Sequence, residues 1–115
     1  MKIHILKSKI HRATITSTNI DYEGSITIDP VLMSIANIIQ YEQVHIWNIT
    51  NGSRIITYAI AGEEYSGEIC INGAGAKLNN TGDLIIVATF AEIKQIEAVG
   101  YKPQIIKVNS KNEIT

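Results

Sequence analysis

Val44-His45-Ile46-Trp47-Asn48-Ile49, Thr50-Asn51-Gly52-Ser53 and Arg54-Ile55-Ile56-Thr57-Tyr58-Ala59-Ile60-Ala61 follow one another without a break. The outer segments are rich in β-branched and aromatic side chains, which suit a pleated, half-buried surface. Asn51-Gly52 supplies the dihedrals a tight turn between strands requires. The stretch predicts two strands, Val44 to Ile49 and Arg54 to Ala61, and the flanking sequence extends the pattern. Residues 3–17 read as one long strand and Ser25-Ile26-Thr27-Ile28 as a short one. Asp29-Pro30 places an N-cap before a proline at the first helical position, opening a short helix to about Ile38. Glu68 to Ile71 reads as a strand that runs into the small-residue segment Asn72-Gly73-Ala74-Gly75-Ala76. Thr81-Gly82-Asp83 then turns the chain into an apolar strand, Leu84 to Phe90. A helix over Glu92 to Val99 and a strand over Gln104 to Val108 complete the reading. Many short strands, few helices and no repeat predict a mainly β fold, a small closed barrel, because closure removes exposed edges.

The chain has 115 residues, which predicts one domain spanning 1–115, large enough for a core but too small for two. It is 45% hydrophobic and 18% charged, the composition of a globular chain. A net charge of -1 with 6% aromatics argues against a nucleic-acid binder, which needs a broad basic face and stacking rings. The charge is uneven, however: Lys2, Lys7, Lys9 and Arg12 all precede the first acidic residue, Asp21. The single cysteine, Cys70, excludes an internal disulfide and reads as a buried thiol in Ile69-Cys70-Ile71. Lys7 and Lys9 interrupt the N-terminal apolar residues before a signal sequence can form, and no run approaches a membrane span. The expected setting is cytoplasmic.

Tyr22-Glu23-Gly24-Ser25 carries the chemistry of most interest. A hydroxyl that follows a glycine can attack the carbonyl before it, since glycine leaves that carbonyl open on both faces. Gly-Ser is also an ordinary turn pair. Lys9 and His11, two apart on one strand, share a face, as do Arg54 and Tyr58, with Thr57 on the opposite side. Asn72-Gly73-Ala74 offers an amide and accessible backbone N–H groups. His4, His11 and His45 lack metal-ligand spacing. Gly73-Ala74-Gly75 lacks the third glycine of a dinucleotide loop, where Leu78 stands. Spacing alone leaves three readings open: an enzyme with a latent carbonyl, a hydrolase using Ser25 as a simple nucleophile, or a non-catalytic β-barrel module that binds a ligand or nucleic acid.

Lys9-Ile10-His11-Arg12, Tyr22-Glu23-Gly24-Ser25, Ile46-Trp47-Asn48-Ile49-Thr50-Asn51-Gly52, Thr57-Tyr58-Ala59-Ile60, Ile71-Asn72-Gly73-Ala74 and Thr81-Gly82-Asp83 occur in order over nearly all of the chain. Together they resemble the pyruvoyl-dependent aspartate 1-decarboxylases. Departures from the common pattern are Ile26, where many members carry cysteine, and Gly75 in place of alanine. The resemblance implies a double-psi β-barrel, a homotetramer with active sites between subunits, and conversion of L-aspartate to β-alanine and CO2 for pantothenate and coenzyme A. It also implies self-cleavage at Gly24-Ser25 into a β chain of residues 1–24 and an α chain of residues 25–115. Ser25 would become the covalent pyruvoyl cofactor and the Schiff-base partner of the substrate amine. No metal is implied. Thr57 and Asn72 would assist processing, with strain at Gly24 favouring the acyl shift. Tyr58 would be the proton donor, Lys9 and Arg54 would hold the carboxylates, and His11, Trp47, Thr57, Gly73 and Ala74 would shape the pocket. A helper protein for maturation is a further implied partner in some relatives.

Overall fold

The computed structural model describes residues 1–115. Its strands are β1 (Lys2–Thr14), β2 (Ser17–Asn19), β3 (Ser25–Ile28), β4 (Gln43–Asn48), β5 (Arg54–Ala61), β6 (Ile69–Asn72), β7 (Leu84–Lys94) and β8 (Gln104–Lys107), with helices α1 (Pro30–Ile35) and α2 (Gln95–Ala98). The hydrogen-bonded order is β2-β6-β3-β5-β4-β7-β1-β8. β1 and β2 stand far apart in that order yet are separated by two residues of chain. One continuous run therefore pairs with β7 at its start and with β6 at its end, so the sheet closes on itself as a small β-barrel. β8 lies outside the ring, parallel to β1. Two of the ring contacts, β3–β5 and β2–β6, are parallel. Such pairs cannot come from hairpins and force the chain to cross between them.

The interior is built by alternation. On β4, Val44, Ile46 and Asn48 are buried, while Gln43, His45 and Trp47 point outward. Ile10, Ile26, Ile28, Ile46, Ile71, Ile85 and Val87 belong to one apolar cluster of 17 residues and are at most 1% exposed. The Asp29 cap is realised, its carboxylate accepting from the Val31 N–H at 2.9 Å. The helix stops at Ile35, three residues sooner than expected, because Asn37 takes a φ of 58°. Ile38 N–H then reaches back to Met33 O at 2.8 Å and Asn37 N–H to Ser34 O at 3.2 Å, a Schellman ending.

Other departures have local causes. The long first strand ends at Thr14 and resumes as β2, after a register shift where Arg12 takes a φ of 62°. β7 continues to Lys94 because β1 offers partners as far as Lys2. The expected helix over Glu92 to Val99 shrinks to Gln95–Ala98 accordingly. Gly73–Lys77 forms a 3-10 helix.

Asn48 is the main polar group inside the barrel. Its Nδ2 donates to Asn79 Oδ1 at 2.9 Å and to Asp83 Oδ2 at 2.8 Å, and its Oδ1 accepts from Asn51 N–H at 3.0 Å. It thereby ties the β4–β5 turn, where Gly52 has a φ of 80°, to the turn ahead of β7. Asn48→Ala would leave the Asn79 amide oxygen without its donor and the Asp83 carboxylate with only the Asn80 N–H, and should lower unfolding stability by about 1–3 kcal/mol in a urea titration.

Candidate active site

Ser25 is the first residue of β3 and lies opposite Asn72 in the antiparallel pair with β6, where Thr27 faces Cys70. Partners across such a pair share a face. Asn72 Nδ2 accordingly donates to Ser25 Oγ at 2.9 Å and to Thr27 Oγ1 at 3.0 Å. The Ser25 hydroxyl donates in turn to Glu23 O at 3.2 Å. Ser25 is 1% exposed and Asn72 4%, whereas Tyr22, Glu23 and Gly24 are exposed. The Gly24–Ser25 bond thus joins an open turn to a rigid strand.

A cavity of about 310 Å³ opens beside this bond, lined by Gly24, Ser25, Thr57, Asn72, Ala74 and the apolar side chains of β5. No charged residue lines it. Gly73 has a φ of 69°, and a Cβ there would stand 2.7 Å from Gly24 Cα. The glycine that geometry requires is therefore Gly73. Gly24 itself has no left-handed φ, and a Cβ on it would meet nothing within 4 Å, so the strain expected at Gly24 is not a feature of the uncut chain.

The remaining residues singled out from the sequence lie elsewhere. Lys9 is opposite Ala88, Ala88 opposite His45, and His45 opposite Ile56. Trp47 faces Arg54 across β4–β5. Lys9, His45, Trp47 and Arg54 thus share the outward face of four adjacent strands, and His11 lies two residues beyond Lys9. The Arg54 guanidinium stacks 4.7 Å from the Trp47 ring centre, and Phe90 meets His45 edge-on at 5.0 Å. Phe90 is 40% and Ile56 60% exposed on this face. Tyr58 precedes Ala59 just as Ser25 precedes its partner Ile26 on the neighbouring strand. The Tyr58 ring packs 6.3 Å from that of Tyr41 and does not line the cavity. Within a single chain these residues therefore fall into two groups: Gly24, Ser25, Thr57, Asn72, Gly73 and Ala74 around the Gly24–Ser25 bond, and Lys9, His11, Trp47 and Arg54 on the outer face.

The pKa of His11 is lowered from the ordinary histidine value. Burial is the largest cause, followed by the charges of Lys9, Arg12 and Lys107, and all lower its pKa. Its Nδ1 is buried without a hydrogen-bond partner. Lys107 of β8 sits opposite His11 and adds a cation that sequence reading missed, because the parallel β1–β8 pairing has no local signature. Cys70 and Thr27, the supports of Asn72, were missed for a related reason: period-2 patterning tells which face a side chain takes but not what it touches. No group of three or more His, Cys, Asp or Glu side chains comes together to hold a metal.

This geometry belongs to a known class. The family model for aspartate decarboxylase matches residues 1–115. The aspartate 1-decarboxylase of Myxococcus xanthus is 52% identical over 99% of this chain and 88% of its own length. Those of Acinetobacter baylyi and Xylella fastidiosa are each 47% identical, over 99% and 100% of this chain and 90% and 91% of their own lengths. The chain belongs to the aspartate decarboxylase family. Ser25 and Asn72 therefore face each other within the fold of a lyase family.

Two outcomes follow from the geometry. A proton NMR titration should put the His11 midpoint below the ordinary histidine value of about 6.5. With the folded pKa depressed, the unfolded chain binds the extra proton first, so the stability His11 contributes is present above that value and lost as pH falls toward the folded pKa. Thermal melts of His11→Gln should accordingly change less between pH 7 and 5 than those of the native chain. Gly73→Ala should destabilise the fold by about 1–3 kcal/mol, through a strained φ and collision with Gly24, as read by thermal unfolding.

Proposed function

We propose that this chain cuts itself at Gly24–Ser25 and that the matured protein decarboxylates L-aspartate to β-alanine and CO2, at sites completed by a neighbouring copy. The observation that carries the reading is the buried Ser25 hydroxyl, fixed by Asn72 beside a small cavity, in a chain of the aspartate decarboxylase family. Family membership also sets aside the non-catalytic binding module and the simple serine hydrolase.

In processing, Ser25 Oγ attacks the Gly24 carbonyl carbon. A C–O bond forms and the C–N bond breaks, while the hydroxyl proton passes to the nitrogen that becomes the Ser25 amine. The product is an ester isomeric with the peptide. The intervening oxyanion needs a placed donor, and Thr57, a residue of the cavity lining, is the candidate. Elimination of the Gly24 carboxylate and addition of water then release ammonia and leave a pyruvoyl group at position 25. The cavity suits such a group, since it presents the Asn72 amide and the Thr57 hydroxyl and no carboxylate that would repel a carbonyl or an anionic substrate.

Once formed, the pyruvoyl carbonyl supplies the electron sink for loss of a carboxylate, a role the side chains alone cannot fill. The chain's own residues then bind and protonate. Arg54, held over the Trp47 ring, can grip a carboxylate bidentately, and Lys9 adds a point charge on the same face. Two cations for two carboxylates favour aspartate over amino acids with one. Tyr58 donates the proton that returns to the α-carbon. Lys9, His11, Trp47 and Arg54, on the outer face, do not line the cavity within one chain, which supports an assembly with shared sites, a homotetramer as in the family resemblance. The exposed Ile56 and Phe90 on that face suit burial in such a contact. β-Alanine made this way would feed pantothenate and coenzyme A synthesis in the cytoplasm. No helix of the chain is long and apolar enough to cross a membrane.

Denaturing intact-mass measurement tests the first step. The native sequence should yield two fragments split after Gly24, and Ser25→Ala one uncut species of 12.7 kDa. A cut Ser25→Ala protein would falsify the mechanism. The same measurement, with purified chain alone and with cell extract added, tells unaided maturation from a need for a helper protein. Tyr58→Phe should still be cut, yet decarboxylate aspartate about 10²–10⁴-fold more slowly in a CO2-release assay.

A further inference from the structure

Four side chains on the β3–β6 pair form a hydrogen-bond chain with a definite direction. Ser25 and Thr27 lie two apart on β3, Cys70 and Asn72 two apart on β6, and the register sets Ser25 against Asn72 and Thr27 against Cys70. Because the Ser25 hydroxyl proton is given to Glu23 O, its oxygen presents a lone pair to Asn72 and needs a donor. Asn72 Nδ2 supplies one N–H to Ser25 and its other to Thr27 Oγ1. The amide oxygen is left facing Cys70, whose thiol donates to it at 3.3 Å.

A carboxamide has two ends of nearly the same shape, and its partners decide which way it lies. Turned over, Asn72 would set its oxygen against a serine oxygen whose proton is already engaged. It would also leave its NH2 facing sulfur, a weak acceptor. Cys70 is 7% exposed and the serine and asparagine less, so water cannot compensate at these positions. We propose that Cys70 and Thr27 are positioning residues for self-cleavage. They hold the Asn72 amide with its N–H groups toward Ser25, where one N–H favours loss of the Oγ proton as the oxygen attacks Gly24. Neither residue touches the reacting carbonyl. The inference rests on the self-cleavage reading above and gives Cys70 a task as a hydrogen-bond donor rather than as a nucleophile.

The test compares Cys70→Ser, Cys70→Val, Thr27→Ser and Thr27→Val with the native full-length chain, following cleavage after Gly24 by intact mass and melting temperature in parallel. The two valine variants should be cut about three- to tenfold more slowly, the loss expected for one buried hydrogen bond. The two serine variants should be cut at close to the native rate, since Thr27→Ser keeps the hydroxyl that accepts from Asn72 and Cys70→Ser replaces the thiol donor with a hydroxyl donor. A role in packing alone predicts another order at position 70, with valine filling the space better than serine and the rates following the melting temperatures. Cleavage of Cys70→Val at the native rate, or equal slowing by serine and valine, overturns the inference. If no variant is cut, the native chain included, the self-cleavage reading has failed instead. The positioning itself is then decided by 15N NMR of the intact chains. The Asn72 side-chain N–H resonances should shift in Cys70→Val and hold in Cys70→Ser, and identical spectra would overturn it.

Discussion

β3 is only four residues long, but it is hydrogen-bonded along both edges, antiparallel to β6 and parallel to β5. Ile26 and Ile28 drive its inner face fully into the core. A strand held in this way cannot slip: a one-residue shift would exchange two buried isoleucines for Ser25 and Thr27. The position of the Ser25 hydroxyl is therefore set by the core rather than by the exposed turn before it. Asn72, one strand away, is fixed by the same register. The chemistry proposed for Gly24–Ser25 would inherit its precision from apolar packing on the other side of the sheet.

The hairpin around Asn51-Gly52, the β3 strand and the Asp29 cap were legible because each depends on residues adjacent in sequence. β5 and β3 begin and end where the alternation of side chains begins and ends. What the sequence concealed is non-local. β2 has three exposed residues and exists because Cys70 to Asn72 lie parallel to it, which no property of Ser17 to Asn19 announces. Asn37 ends α1 through a left-handed φ inside an apolar, helix-compatible run. Gly24 and Gly73 look equivalent as letters, and only the approach of the two backbones shows which of them must lack a side chain. Motif resemblance singled out the residues that gather around the Gly24–Ser25 bond, but not their separation from Lys9 and Arg54 within one chain.

That separation organises the electrostatics. The chain is close to neutral, yet Lys9, Arg12 and Lys107 gather around His11, and Arg54 stands on the same barrel wall. The cavity at Ser25 carries no charge of its own. An uncharged cavity and a cationic wall make different demands. Low polarity around Ser25 leaves few groups competing for its hydrogen bonds, whereas exposed cations stay solvated until a partner or substrate covers them. Keeping the two apart within one chain avoids burying these cations without counter-charges.

The closure of the barrel by β1 and β2 has one more consequence. A break after Gly24 would leave residues 1–24 as a separate strand-bearing peptide, laced to β7, β8 and β6, with Ser8, Ile10, Ala13 and Ile15 sunk into the interior. It would stay in place without a covalent link, because departure would open the barrel wall along both seams. Unfolding would then be a one-way passage. Recovery from denaturant would require two polypeptides to meet in solution, at a rate that depends on their concentration, whereas the newly made chain folds as a single molecule.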